Sequence, residues 1–167
     1  MRVKLFNCSK WPDAEVRKLL EHAAKEAGVD DGKGPIFTRI NRGGSHSHGI
    51  EHRWTWVTRQ WCNTTGKRLR AANLAVTTNG GVCVEIWPCI TMEPLAAVED
   101  FYKIAVHEFV HVADVQQHKP FGQYKKQWAN RPHERRAITA ATFGMLKRDR
   151  ERDERILNLA IAIEEQK

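Results

Sequence analysis

Leu95-Ala-Ala-Val-Glu-Asp-Phe-Tyr-Lys-Ile-Ala-Val-His-Glu-Phe-Val-His-Val-Ala-Asp-Val-Gln-Gln-His118 is the stretch on which the reading of this chain turns. Pro94 precedes it, Pro120 follows it, and its apolar residues recur at helical period, so one helix is predicted from Leu95 to about His118. Around His107, Glu108 and His111 the flanking residues from Ile104 to Ala113 are all uncharged. A helix so apolar on successive turns belongs in a core, where two imidazoles and a carboxylate are costly to bury without a shared partner.

Working outward, Pro132 opens a second helix running through Ala137, Ile138, Ala141 and Met145, and Ile156 to Ile161 forms a final amphipathic stretch expected to pack back on the core. The intervening run Lys147 to Arg155 is charge-balanced and reads as an exposed helix with internal ion pairs. Upstream, Pro12 to Ala27 is a helix with Val16, Leu19, Leu20 and Ala23 on one stripe and Gly28 as its stop. From about Pro35 to Cys89 the chain reads as β-rich: Ile36–Ile40, an alternating Arg53–Trp61, then Ala72–Thr78 and Val82–Trp87 around an Asn79-Gly80-Gly81 turn signal. The fold class expected is α+β in one domain, 1–167, with an N-terminal helix and a twisted, mainly antiparallel sheet in 1–94. Metal-binding helices follow in 95–149 and a helical tail in 150–167.

Composition bounds the function. A chain of 167 residues with a hydrophobic fraction of 41% and a charged fraction of 28% suits a soluble globular domain. No run approaches the ~18–20 apolar residues of a membrane span, and the N-terminus lacks a signal-peptide pattern, so a cytoplasmic protein without membrane partners is expected. Cys8, Cys62, Cys83 and Cys89 contain no Cys-x-x-Cys pair and read as core thiols rather than a zinc ribbon. The net charge of +7 is concentrated between Arg39 and Arg70, where seven basic residues face one acid, Glu51. This is expected to be a solvated face with at most weak, non-specific nucleic-acid binding. Ser45 to His52 holds three histidines in a Gly-rich stretch, expected to be a flexible surface loop rather than a second metal site.

The chemistry lies in His107-Glu108-Phe109-Val110-His111. Residues four apart on a helix project from one face, so both imidazoles can hold one tetrahedral zinc ion at ~2.0–2.1 Å. Glu108, next to the first ligand, is set to take a proton from water rather than to bind metal.

This segment resembles the active-site helix of the zincin metallopeptidases, from Ile104 to Ala113. The resemblance implies one Zn2+ ion and hydrolysis of a protein or peptide substrate by zinc-activated water, with Glu108 as general base. It also implies a strand along the cleft edge that pairs with extended substrate, for which Val82–Trp87 stands by analogy. The metzincin pattern fails, since Asp114 and Gln117 occupy its Gly and His positions and His118 is out of register. Arg131-Pro-His-Glu-Arg-Arg-Ala137 is similar to the gluzincin second helix of small bacterial and phage-associated peptidases, which implies Glu134 as third ligand. Glu134 is expected on the inward stripe of Ile138, Ala141 and Met145, with His133 and His118 as reserve ligands. Asp114 either orients an imidazole or is solvated. Tyr124, Arg131 and His118 stand open as oxyanion donors. Two rival functions are a nucleic-acid-associated zinc protein, such as a SprT-like peptidase using the basic Arg39–Arg70 segment, and a non-peptide amide hydrolase.

Overall fold

The computed structural model describes residues 3–33, 36–43, 48–53, 82–117 and 132–167. Four strands, β1 (Val3–Asn7), β2 (Ile36–Ile40), β3 (His48–Arg53) and β4 (Val82–Trp87), form one sheet in the order β1-β2-β4-β3. Four helices accompany it: α1 (Asp13–Glu26), α2 (Pro94–Gln116), α3 (Pro132–Leu146) and α4 (Arg150–Glu165). The mixture of helix and strand is the expected one. Among the described residues no helix is long and apolar enough to cross a membrane.

The sheet is not mainly antiparallel. β1 runs parallel to β2 and β2 parallel to β4, and only β3 opposes its neighbour β4. The reason is connectivity: α1 carries the chain back between β1 and β2, and a crossover of that kind returns a strand in the same direction. Hairpin signals in the sequence cannot reveal this, because β1 was not read as a strand. Of its five residues only Val3 is fully buried.

β3 corrects a second expectation. His48–His52 belongs to a strand and not to a surface loop, and the strand ends at Arg53, where the alternating segment was expected to begin. A Gly, two His and a Glu give it little intrinsic β-propensity; it exists through its ladder to β4, from His48↔Trp87 to Arg53↔Val82. β4 is therefore an inner strand, so it cannot be the cleft-edge strand. Among the described residues β3 is outermost on that side. The remainder of Arg53–Trp61, the strand Ala72–Thr78 and its turn lie outside the described residues.

The helices follow the sequence closely. α1 stops in a Schellman arrangement: Gly28, at φ 82°, donates to the Lys25 carbonyl, and Val29 donates to that of Ala24. A side chain at position 28 would strain this backbone, which explains the glycine. α2 is the central element, packed on α1, α3, α4, β3 and β4. Phe101, Tyr102 and Phe109 of α2 are fully buried with Leu19, Ile86 and Leu159 from its neighbours. α4 docks through Ile156, Leu159 and Ala160, as the amphipathic pattern predicts. The Lys147–Arg155 run is only partly exposed, however. Arg155 pairs with Glu151 on the surface, whereas Arg152 is buried and donates through NH1 to the Gly144 carbonyl at the end of α3. Charge balance along a sequence does not say which arginine turns inward.

Candidate metal centre

α2 and α3 meet at a cluster of imidazoles and carboxylates. His107 and His111 lie one turn apart on α2, their ring centroids 5.0 Å from each other and their planes at 85°. One nitrogen of each ring and one oxygen of Glu108 lie within 4.8 Å of one another. From α3, Glu134 reaches across: its Oε2 is 3.1 Å from His107 Nε2 and its Oε1 is 3.1 Å from His111 Nε2. His133 joins them, with Nε2 3.4 Å from Glu134 Oε1 and its ring centroid 5.6 Å from that of His111.

All of this is enclosed. His111 is fully buried, Glu108, His133 and Glu134 are nearly so, and His107 alone keeps a partly open edge. Burial pushes the His107 imidazole down to about 4, helped by the positive charge His133 would carry. Burial pushes His111 down to about 3, with His107, His133 and Arg136 acting in the same direction. At neutral pH both rings are thus neutral and each offers a lone pair, which is the form that ligates metal.

Two carboxylates stand beside the imidazoles, and they come from different helices. Glu108 shares its helix with the histidines, and a residue adjacent to His107 leaves the helix about 100° around the axis. Glu134 comes from a different helix and touches both imidazoles, one with each oxygen. Both carboxylates thus stand within reach of the two imidazoles, Glu108 from the same helix and Glu134 from α3.

The inward stripe of α3 is rotated from the one expected. Glu134 and Ala141 are buried as predicted, but Ile138 is 36% exposed and Ala137 and Gly144 take the inner positions. This turns His133 inward with Glu134, so both face the cluster even though they are adjacent. Ile138 was placed by hydrophobicity alone, whereas α3 carries small residues on the side it presses against α2, where close approach matters more than apolar area.

Asp114 neither is solvated nor acts chiefly as a surface charge. It is buried, and its Oδ2 accepts from Arg136 Nε at 3.1 Å and from NH2 at 2.9 Å. The pair ties α2 to α3 one turn beyond the histidines and so fixes the distance at which Glu134 meets them. Arg136 was not singled out from the sequence: it is one of two consecutive arginines, and nothing local distinguishes the one that turns toward Asp114. His118, Tyr124, Arg131 and the basic residues from Arg59 to Arg70 lie outside the described residues.

No known protein family matches the chain, and neither a curated protein nor a solved structure is similar to it.

Proposed function

We propose that this protein is a zinc-dependent peptidase, with His107, His111 and Glu134 holding one zinc ion and Glu108 serving as general base. The observation that carries the proposal is the bridging position of Glu134, 3.1 Å from a ring nitrogen of each histidine. Donors bound to one tetrahedral zinc at ~2.0–2.1 Å stand roughly 3.3 Å apart, close to the distance between each ring nitrogen and the Glu134 oxygen it meets. Charge points the same way. The two rings are held neutral and cannot compensate the buried carboxylates beside them, and a divalent cation can.

When bound, zinc supplies Lewis acidity and brings the pKa of a coordinated water toward about 7. The side chains do the rest. Glu108, buried at the edge of the cluster, accepts a proton from the attacking water and delivers it to the departing amine. His107, with its partly open edge, lies on the side from which substrate approaches. Asp114 and Arg136 hold the two ligand helices in register. An extended peptide adds along β3, the outermost described strand on that side, which packs against α2 and opposes β4, by main-chain hydrogen bonding.

The test combines metal analysis with turnover. Purified protein should contain one zinc per chain and cleave an unfolded protein substrate, and Glu134→Ala should purify nearly metal-free and inactive. A wild-type protein that takes up no zinc from buffered solution, while remaining folded, would overturn the proposal.

A further inference from the structure

At the other end of α2 lies a cavity of about 620 Å³ that the peptidase reading does not use. Ala97, which lines it, stands ten residues before His107, roughly 15 Å along the helix at a rise of ~1.5 Å per residue. Its position in the fold is that of a ligand crevice. The chain leaves β1, β2 and β4 around it, through Cys8, Arg42 and Cys89, and α1 and α2 begin beside it, at Trp11 and Pro94. Carboxyl ends of parallel strands facing the amino ends of helices are where open α/β sheets take small molecules.

The lining has a definite chemistry. Trp11, Met92, Pro94, Ala97 and Ile163 give an apolar body, with Ile163 supplied by the end of α4. Gly43 closes one wall: a side chain there would meet the Pro88 carbonyl at 2.8 Å and collide with Ile90. Among the described residues three cations reach the cavity, Lys10, Arg42 and Lys167, and no acidic side chain lines it. Lys167 is paired with Glu164 at 3.2 Å, but Lys10 and Arg42 have no ion-pair partner among the described residues. The amino end of α2, which carries no acid in its first turn, adds partial positive charge of the same sense.

We infer that this cavity binds a small amphipathic anion, an apolar chain or ring system bearing one carboxylate or phosphate, with the anionic head at Lys10 and Arg42 and the apolar body against Trp11 and Ile163. A neutral molecule of the same shape would fill the walls and leave both cations without a partner.

Cys8, half-buried in the lining, provides a reporter confined to the cavity. The experiment measures alkylation of Cys8 in the full-length protein by peptide mass spectrometry, with decanoate, decyl phosphate or decanol as the probe. Decanoate or decyl phosphate should slow labelling about fivefold at roughly four times its dissociation constant, and the stronger of the two identifies the head group. Arg42→Ala combined with Lys10→Ala, both at surface positions, should weaken the anion about tenfold at low salt and leave decanol unchanged. Ile163→Trp should block all three probes while the melting temperature confirms folding. The inference fails if neither anion protects Cys8 at millimolar concentration, or if decanol protects as well as decanoate does. Zinc content and peptide hydrolysis, measured on the same variants, should not move, so failure here is separable from failure of the metal site.

Discussion

Two clusters among the described residues combine histidine with carboxylate, and they are built on opposite ratios. Between α1 and α4, one imidazole, His22, meets two acids: Nε2 is 2.7 Å from Asp149 Oδ2 and Nδ1 is 3.8 Å from Glu151 Oε1. Between α2 and α3, three imidazoles crowd around two acids, Glu134 and Glu108. The first arrangement is self-sufficient. The ring has a carboxylate near each of its nitrogens, and Asp149 also caps α4 by accepting from the Arg152 backbone N–H at 3.0 Å. The second disfavours protons on His107 and His111, because burial penalises a charged ring and the neighbouring rings oppose charge in the same sense. Several imidazole and carboxylate donors that together disfavour protons suit a divalent cation, and this contrast separates a structural histidine cluster from a candidate centre.

The sharpest break in the comparison is expected at Glu108, which has no counterpart beside His22. Glu108→Gln keeps size and polarity but cannot accept the proton. It should lower turnover by about 10²–10⁴-fold with zinc content and melting temperature unchanged. Turnover assays on zinc-loaded protein decide this, and near wild-type rates would remove Glu108 from the chemistry. His22→Ala, by contrast, should leave turnover and zinc content untouched.

Next in size is the loss of metal. Glu134→Ala should abolish stoichiometric zinc, whereas His133→Ala should retain it with affinity reduced about 10–100-fold, the range for a partner that orients a ligand. Competition with a chelator of known affinity gives both values. A His133→Ala protein as empty as Glu134→Ala would make His133 a ligand and require the donor set to be redrawn. Metal binding should also stabilise the fold by about 4 kcal/mol when free zinc is ~1,000 times the dissociation constant, which a chelator would reverse.

How much of this was legible in the sequence depends on the range of the forces involved. Helices α1, α2 and α3 were legible because their boundaries are local, set by Pro12, Gly28, Pro94 and Pro132. His107, Glu108 and His111 were legible for the same reason, since helical spacing alone brings them together. Glu134 was legible as an acid on a helix of small and apolar residues. Strand direction was not: it depends on crossovers, and the helix pattern of α1 does not say that a strand precedes it. β3 was missed because its residues have no strand preference and pair only once β4 is present. The Asp114–Arg136 tie spans 22 residues and two helices, and neither residue carries a local mark of its partner.

The two clusters should also separate by pH. In metal-stripped protein, His107 and His111 are pushed down to about 4 and about 3 from an ordinary 6.5. Between those values the unfolded chain binds the more protons, so stability rises with pH through the window and is lost as pH falls below 6.5 toward 4 and 3. Asp149 behaves differently. Burial raises it, but the Arg152 backbone N–H and the His22 ring outweigh burial and hold it below the ordinary 3.8. Its contribution is complete above 3.8 and is lost as pH falls through its depressed value. Denaturant midpoints of stripped protein should therefore decline first through the histidine window. Zinc-loaded protein should resist that decline until protons displace the metal. A flat profile between pH 6.5 and 4 in stripped protein would mean that the histidines are not held neutral.

The smallest expected effect concerns the structural cluster itself, and its use is as a control with its own content. Asp149→Asn preserves an oxygen for the cap at Arg152 N but removes the charge facing His22. Asp149→Ala removes both. Losing an N-cap costs about 0.5–2 kcal/mol, and losing a hydrogen bond to a charged group about 1.5–3 kcal/mol. These overlap in one side chain, so Asp149→Ala should destabilise by roughly 2–3 kcal/mol and Asp149→Asn by about 1 kcal/mol. Urea unfolding measures both. The wild-type and Asp149→Asn midpoints should converge at low pH, because protonation converts the wild-type carboxylate into a neutral group comparable to the amide. Neither variant should change zinc stoichiometry, since α4 meets α1 and α2 away from the Glu134 end of α3. If Asp149→Asn emptied the metal centre, the two clusters would be one coupled network, and the contrast drawn between them would fail.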